Sequence, residues 1–358
     1  MANVMHILDA STPPAMRRQL RLLRGPADLV VALGPNPDES AGLEDVLEVH
    51  VPLGRAKLAL HREQLLSRAE HCRVYHAWSR RSAELAEALA RKFGRNAVLS
   101  LAGIETPTPP RELAVALVRN DYDLTVPNEY LRRELLKQGV QREALHVLPP
   151  AAELQNGHSV GETNRRQLRR RLGLNAEDFV IVAPGQITDH SGHRIACWAH
   201  AMLTHIWDRV KLVIPGHGPA MDHLEFFDAN AGAPEATVFT HDRIPLEQVL
   251  FACDAAVIVQ SRPQELTGLA ASMAAGLPCV CSDLPNLTEW AIPDRAALVV
   301  PPDSPQATAR QLLHLVDTPE LRRKLGQTAR RIAEQNFSPE HCRRQLAHIY
   351  AEVYSEIA

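Results

Sequence analysis

Lysine is scarce in this 358-residue chain: only five of its 39 basic residues are lysines, so a site that needs an ammonium group has few places to find one. No charge of one sign dominates either. Thirty-nine Lys and Arg stand against 42 Asp and Glu, a net charge of -3. Residues 1–150 carry 20 basic and 18 acidic side chains, and residues 151–358 carry 19 and 24. Neither half has the basic excess that a nucleic-acid partner demands, so none is expected. No C-x-x-C pair occurs among the six cysteines (Cys72, Cys197, Cys253, Cys279, Cys281, Cys342), which argues against a structural zinc site. A disulfide framework does not suit a chain of this length, and the cysteines read as reduced, buried thiols. No apolar run approaches the roughly 20 residues that cross a bilayer. The first run, MANVMHILDAS, is cut by Asp9 and has no basic n-region or cleavage site. These absences predict a cytoplasmic protein. Hydrophobic residues at 45% and charged residues at 23% exclude a disordered or collagen-like chain.

What is present is a repeated alternation. Short apolar runs at Val4–Leu8, Leu29–Leu33, Val46–Val51, Val74–Ala77, Ala97–Leu101, Leu124–Val126 and His146–Leu148 predict strands. Between them Pro14–Leu23, Arg81–Phe93 and Glu129–Gln138 place apolar residues three and four apart, the helical period. The second half repeats the plan with Phe179–Ala183, Lys211–Ile214, Thr237–Phe239, Ala255–Val259, Cys279–Cys281 and Ala297–Val300. Continuous apolar strands joined by helices predict parallel βαβ units buried on both faces. Residues 149–163 (PPAAELQNGHSVGET) lack periodicity and are rich in breakers, as an interdomain linker would be. The expected organisation is an N-terminal domain over 1–150, a linker over 151–163 and a second domain over 164–337. A C-terminal helix over 338–358 is expected to cross back to the first domain. The helix Asn164–Leu172 carries five arginines; they are read either as a solvated face or, through Arg165–Arg171, as a peripheral contact with an anionic membrane.

In parallel sheets of this kind, ligands bind beyond the carboxyl ends of the strands, where loops feed helix N-termini. Three loops of the second half fit. Pro184–Arg194 (PGQITDHSGHR) contains Gly185, Gln186, Thr188, Ser191 and Arg194. Pro215–Pro219 (PGHGP) contains Gly216 and His217. Gln264–Pro278 (QELTGLAASMAAGLP) sets Glu265 before Thr267, Gly268 and Leu269 at the start of a small-residue helix.

In their order these loops resemble the nucleotide-sugar domain of retaining GT-B glycosyltransferases of the family-4, group 1 type. The matching pieces are Val182–Gly185, Leu212–Pro219, Glu265, Gly268-Leu269, Met273–Val280 and Glu289 in Leu287-Thr-Glu-Trp. In the first half, His76-Ala77-Trp78-Ser79 and Asn120–Pro149 resemble the acceptor domain more loosely. The resemblance implies an α/β GT-B fold, two Rossmann-like parallel-sheet domains facing a central cleft. It further implies transfer from a sugar diphosphonucleotide to a glycan, lipid or small-molecule acceptor, with no obligatory metal and no cofactor besides the donor.

The residues this implies are Glu265 and His76 as catalytic groups. Gly185, Gln186, Thr188, Ser191, Arg194, Gly216, His217, Arg262, Thr267, Gly268, Leu269 and Glu289 would bind the donor. Glu265 would accept hydrogen bonds from donor-sugar hydroxyls. The chain departs from the family where charge matters. Gln186 stands at the family's arginine position and Ser191 at its lysine position, leaving Arg194 or Arg262 to supply positive charge. The family's second glutamate falls on Met273 or Ala271, depending on alignment. Thr267-Gly268 fits the Ser-Gly variant of the helix start. The first loop, Asp9–Pro14, has Ser11-Thr12-Pro13-Pro14 in place of a Gly-Gly pair, and prolines donate no N–H. His76 and His6 are read either as acceptor-side groups or as hydrogen-bonded structural histidines. The expected activity is retaining sugar transfer. The alternatives are a GT-B paralogue that binds a nucleotide, sugar or partner without turnover, and another GT-B enzyme such as a nucleotide-sugar epimerase.

Overall fold

The computed structural model describes residues 4–9, 12–34, 46–49, 63–101, 122–154, 162–231, 234–241 and 243–355. Ala10, Ser11, Val51, Asn120, Asp121, residues 155–161 of the expected linker and residues 356–358 lie outside them. The chain forms two units, Met1–Ala151 with Pro339–Ala358, and Ala152–Ser338.

The first unit is built on a parallel sheet. Its described strands are β1 (Val4–Asp9), β2 (Leu29–Leu33), β3 (Val46–Val49), β4 (Val74–Ala77), β5 (Asn96–Ser100), β6 (Asp123–Val126) and β7 (Leu145–Val147). They lie in the order β3-β2-β1-β4-β5-β6-β7. The helices α1 (Pro14–Leu23), α2 (Glu63–Ala69), α3 (Arg80–Phe93) and α4 (Glu129–Lys137) come from the connections. Local chemistry sets their ends. Ser79 and Ser82 form a reciprocal capping box at the start of α3, and Gly94 closes it in the left-handed conformation (φ 61°). Asn128 accepts the Leu131 amide at 2.8 Å at the start of α4.

The second unit contains α5 (Glu162–Arg171), β8 (Phe179–Val182), α6 (His193–Thr204), β9 (Val210–Ile214), α7 (Met221–Asn230), β10 (Thr237–Phe239), α8 (Leu246–Ala252) and β11 (Ala255–Ile258). It continues with α9 (Thr267–Ala274), β12 (Cys279–Ser282), α10 (Pro285–Thr288), β13 (Ala297–Val300), α11 (Pro305–Asp317) and α12 (Pro319–Asn336). Its parallel sheet runs β10-β9-β8-β11-β12-β13. Strands β8, β11 and β12 are buried at every position, because helices cover both faces, and so they read as unbroken apolar runs. The strand order reverses between β8 and β11. At such a switch point the loops leaving the two strands diverge and open a crevice for a ligand.

The final helix, α13 (Pro339–Ser355), belongs to the first unit. Its Cys342, Leu346, Ile349, Tyr350 and Val353 join Met16, Leu20 and Leu23 of α1 in covering one sheet face, against Val4, Leu8, Val30, Val74 and Val98.

Helix α5 differs in two respects from the helix expected over Asn164–Leu172. The arginine-rich helix begins at Glu162, two residues inside the expected linker. Its basic face is also partly internal. Arg169 is 4% exposed and donates to Ala252 O (3.0 Å), Ala176 O (2.7 Å), Asp178 O (2.8 Å) and Asp254 Oδ2 (2.7 Å). Arg165 pairs with Asp254 Oδ1 at 2.6 Å. These two guanidiniums tie α5 to the segment entering β11, while Arg166, Arg170 and Arg171 are exposed. Among the described residues no helix is long and apolar enough to cross a membrane. All six cysteines are buried, and burial raises the thiol of Cys72 to about 11 and that of Cys342 to about 12.

Candidate functional site

Three loops interlock at the carboxyl edge of the second unit's sheet. The loop after β8 and the loop after β9 pair through their backbones: Ile187 N donates to His217 O (3.2 Å), and Ala220 N donates to Ile187 O (3.2 Å). Gly218 makes this approach possible, since a Cβ there would stand 2.1 Å from Ile187 O. On the other side, Ser261 N donates to His190 O (3.0 Å), joining the β8 loop to the loop after β11. Gly192 has φ 81°, and its Cβ would stand 1.9 Å from Val259 O. Gly218 thus lets the β8 and β9 loops meet, and Gly192 lets the β8 and β11 loops meet at the switch point.

Glu265 sits at the centre of this junction, half-buried. Its Oε2 accepts from Thr267 N (2.5 Å) and from the Thr267 hydroxyl. Its Oε1 faces Gly185, 3.2 Å from where a Cβ would be. One carboxylate oxygen is thus spent on the first turn of α9, a favourable place for negative charge, and the other looks toward the β8 loop. The first i to i−4 bond of α9 runs from Ala270 N to Leu266 O, so the amides of Gly268 and Leu269 precede the helical ladder. Leu269 itself is 1% exposed, and its side chain is core.

The positions expected to carry phosphate look different. Gln186 is half-buried beside Gly185. Ser191 is occupied by its own loop: Oγ accepts Thr188 N (3.0 Å) and shares its proton between Thr188 O (2.8 Å) and His193 Nδ1 (2.7 Å). His193 Nε2 stands 3.2 Å from Ala183 O, and a carbonyl only accepts. Nε2 therefore carries the proton and Nδ1 is the acceptor. Burial lowers His193 to about 4, so at neutral pH it adds no positive charge. Arg194 and Arg262 are exposed, as is His217, while Gly216 is half-exposed in the β9 loop. Thr188 Oγ1 reaches Gln264 Oε1 at 3.4 Å. Glu289 stands at the end of α10, beyond β12. The structure gathers Gly185, Gln186, Thr188, Ser191, Glu265, Thr267 and Gly268 at one junction and leaves the two arginines on its surface. Among the described residues, no three His, Cys, Asp or Glu side chains are grouped to hold a metal ion.

Two buried amides, Gln260 and Asn286, were not singled out in the sequence. Each follows a buried strand, and no spacing marks them apart from ordinary turn residues.

In the first unit His76 lies inside the core at 0% exposure. Nδ1 bonds the Tyr350 hydroxyl (2.6 Å) and Nε2 bonds Ser100 Oγ (2.7 Å), which continues to Thr125 Oγ1 (2.5 Å). The ring stacks on Trp78 at 4.4 Å. Burial, and then the neighbouring His6, hold His76 well below the ordinary histidine value. His6 is equally buried: Trp78 Nε1 donates to its Nδ1 (3.1 Å), and its Nε2 reaches Asp28 Oδ2 (3.4 Å). Of the two readings of these histidines, the hydrogen-bonded structural one describes their setting. Nothing leaves His76 a ring nitrogen for a substrate.

Residues 164–332 match the family model of glycosyl transferases group 1. That segment is the unit carrying the three loops. Over 222 residues the chain is 28% identical to alpha-D-kanosaminyltransferase of Streptomyces kanamyceticus, covering 61% of this chain and 56% of that enzyme. Over 221 residues it is 31% identical to D-inositol 3-phosphate glycosyltransferase of Jonesia denitrificans, covering 58% and 51%. The chain thus spans about half the length of the curated relatives it matches. Among solved structures, Anabaena Alr3699/HepE in complex with UDP and glucose matches 98% of this chain with 100% of its own, at a TM-score of 0.86 and 16% identity. The same protein in complex with UDP-glucose matches at 0.84 and 18%. At such identities the shared property is the fold, and the two parallel-sheet α/β units are those of the GT-B, Rossmann-like fold.

Proposed function

We propose that the chain is a glycosyltransferase that moves a sugar from a nucleotide-diphosphate-sugar donor to a glycan, lipid or small-molecule acceptor, with retention and without a metal ion. The observation that carries this reading is Glu265. A carboxylate is held at the strand-order switch point of a group 1-like unit, one oxygen bonded to the first turn of α9 and the other facing the β8 loop. UDP and UDP-glucose complexes of a protein with the same fold support a nucleotide-sugar ligand.

Departure of the diphosphate concentrates negative charge on its oxygens, and catalysis requires donors already pointed at that charge. The amides at the N-termini of α6 and α9 and the Gln186 amide are the neutral donors beside the junction, with Arg194 and Arg262 as the expected cations. Glu265 Oε1 would accept from donor-sugar hydroxyls.

The test is direct. UDP-glucose, GDP-mannose and ADP-glucose are screened for a rise in Tm, with EDTA present, and then for release of the nucleoside diphosphate. At least one donor should stabilise the protein and be turned over, and Glu265→Gln should lower turnover by about 100-fold, the scale of a lost charged contact at a transition state. A protein that none of the three donors stabilises overturns the reading. Binding without release of the diphosphate would leave a nucleotide-sugar-binding protein and remove the transferase.

A further inference from the structure

The loop that presents Glu265 is gripped from beneath by two side-chain amides. Gln260, just past β11, is 5% exposed, and Asn286, in α10 after the neighbouring strand β12, is 2% exposed. Gln260 Oε1 accepts from Gln264 N (3.0 Å) and from Asn286 Nδ2 (3.0 Å). Gln260 Nε2 donates to Glu265 O (3.0 Å), and Asn286 Nδ2 also donates to Gln264 O (3.2 Å). Three backbone groups flanking the Glu265 side chain, Gln264 N, Gln264 O and Glu265 O, are therefore all held by this pair. The Gln264 side chain carries the connection to Thr188 Oγ1 in the β8 loop.

We infer that Gln260 and Asn286 are a positioning pair that aims the Glu265 carboxylate at the sugar of the donor. The inference rests on the donor reading given above. These buried amides pair with backbone groups that apolar side chains in their place would leave unsatisfied. Here the bonds converge on the two residues whose backbone torsions place Glu265. With Oε2 bound to Thr267, a small rotation of the 264–265 backbone would swing Oε1 away from Gly185. On the donor reading, that oxygen would meet a sugar hydroxyl rather than the nucleotide.

Asn286→Asp turns the shared donor into an acceptor facing two acceptors, and Gln260→Glu abolishes donation to Glu265 O at constant size. Two measurements follow on the full-length protein. In the ligand-free protein, amide hydrogen exchange should accelerate at residues 264–269 in either variant and stay unchanged elsewhere. Affinities are then compared for UDP against UDP-glucose, GDP against GDP-mannose and ADP against ADP-glucose, using the pair the wild type binds. The bare nucleotide should keep its affinity within about twofold, while the nucleotide sugar should weaken about tenfold, the equivalent of one hydrogen bond. Unchanged exchange at 264–269 overturns the inference. So does equal weakening of nucleotide and nucleotide sugar, the signature of a merely structural role. A wild-type protein that binds none of the three pairs overturns the donor reading and the sugar role with it.

Discussion

Gly192 illustrates how much of the site depends on single atoms. A methyl group there would meet Val259 O at 1.9 Å, and φ 81° disfavours any L side chain even without that contact. The carbonyl has little room to retreat, because Ser261 N, two residues on, is bonded to His190 O. Gly192→Ala should therefore cost roughly 3 kcal/mol or more in urea unfolding, well above the usual surface substitution. A loss within 0.5 kcal/mol would show that the two loops are not packed this closely. At this scale the sequence was partly legible. Gly-rich loops after buried strands announced close backbone approach, and the absence of charge at Gln186 and Ser191 could be read directly. That Ser191 spends its hydroxyl on Thr188 and His193 could not, because those bonds depend on how the turn folds back toward the helix it precedes. Gln260 and Asn286 were invisible for the same reason, since a polar residue after a strand is the commonest thing in an α/β chain.

Among elements, α13 carries the clearest consequence. It packs its apolar side on the first unit's sheet, and its Tyr350 hydroxyl bonds His76 Nδ1 at 2.6 Å. Burial pushes the Tyr350 phenol well above its ordinary value, so the hydroxyl keeps its proton across the working range. Tyr350→Phe retains the ring and strands a nitrogen of a fully buried histidine. It should cost about 1–3 kcal/mol, the penalty of an unsatisfied buried polar atom, and hydrogen exchange should quicken along 339–355. Unchanged exchange there would mean that the apolar contacts alone fix the helix. Strand and helix positions were the most legible feature: Pro14–Leu23, Leu29–Leu33, Val74–Ala77, Thr237–Phe239 and Ala297–Val300 fall where the periodicity put them, and most others shift by a residue. The strands are readable because parallel sheets bury both faces. The charged face of α5 misleads for a converse reason. A run of arginines looks solvated in one dimension, and only the fold brings Asp254, more than 80 residues away, beneath Arg165 and Arg169.

Across the whole molecule, acid should be the weak flank. His193 and His200 are each lowered from 6.5 to about 4, chiefly by burial, and His76 is lowered well below 6.5. In the unfolded chain these groups take up protons near 6.5, while in the native state they stay neutral. The unfolded state therefore binds more protons between 6.5 and about 4, and stability falls as pH falls through that window. Each of the two histidines near 4 can contribute roughly 3 kcal/mol, a large share of a typical domain's 5–15 kcal/mol. The carboxylates do not restore the balance. At Asp28 burial raises the carboxyl, but the bond and charge of His6 with the Gly25 and Val4 amides outweigh it, and the lowered value adds to acid sensitivity below 3.8. Asp228 is raised by burial and opposes the histidines, but only over the interval above 3.8. Urea unfolding at pH 7.5, 6.0, 5.0 and 4.5 should therefore show a steady loss of stability below about 6.5. His200→Gln should flatten that slope, since an amide can keep the donation to Val210 O (3.2 Å) yet cannot titrate. A slope that His200→Gln leaves unchanged would mean that His200 is not held neutral in the folded protein, and the acid sensitivity would then have to come from His193 and His76.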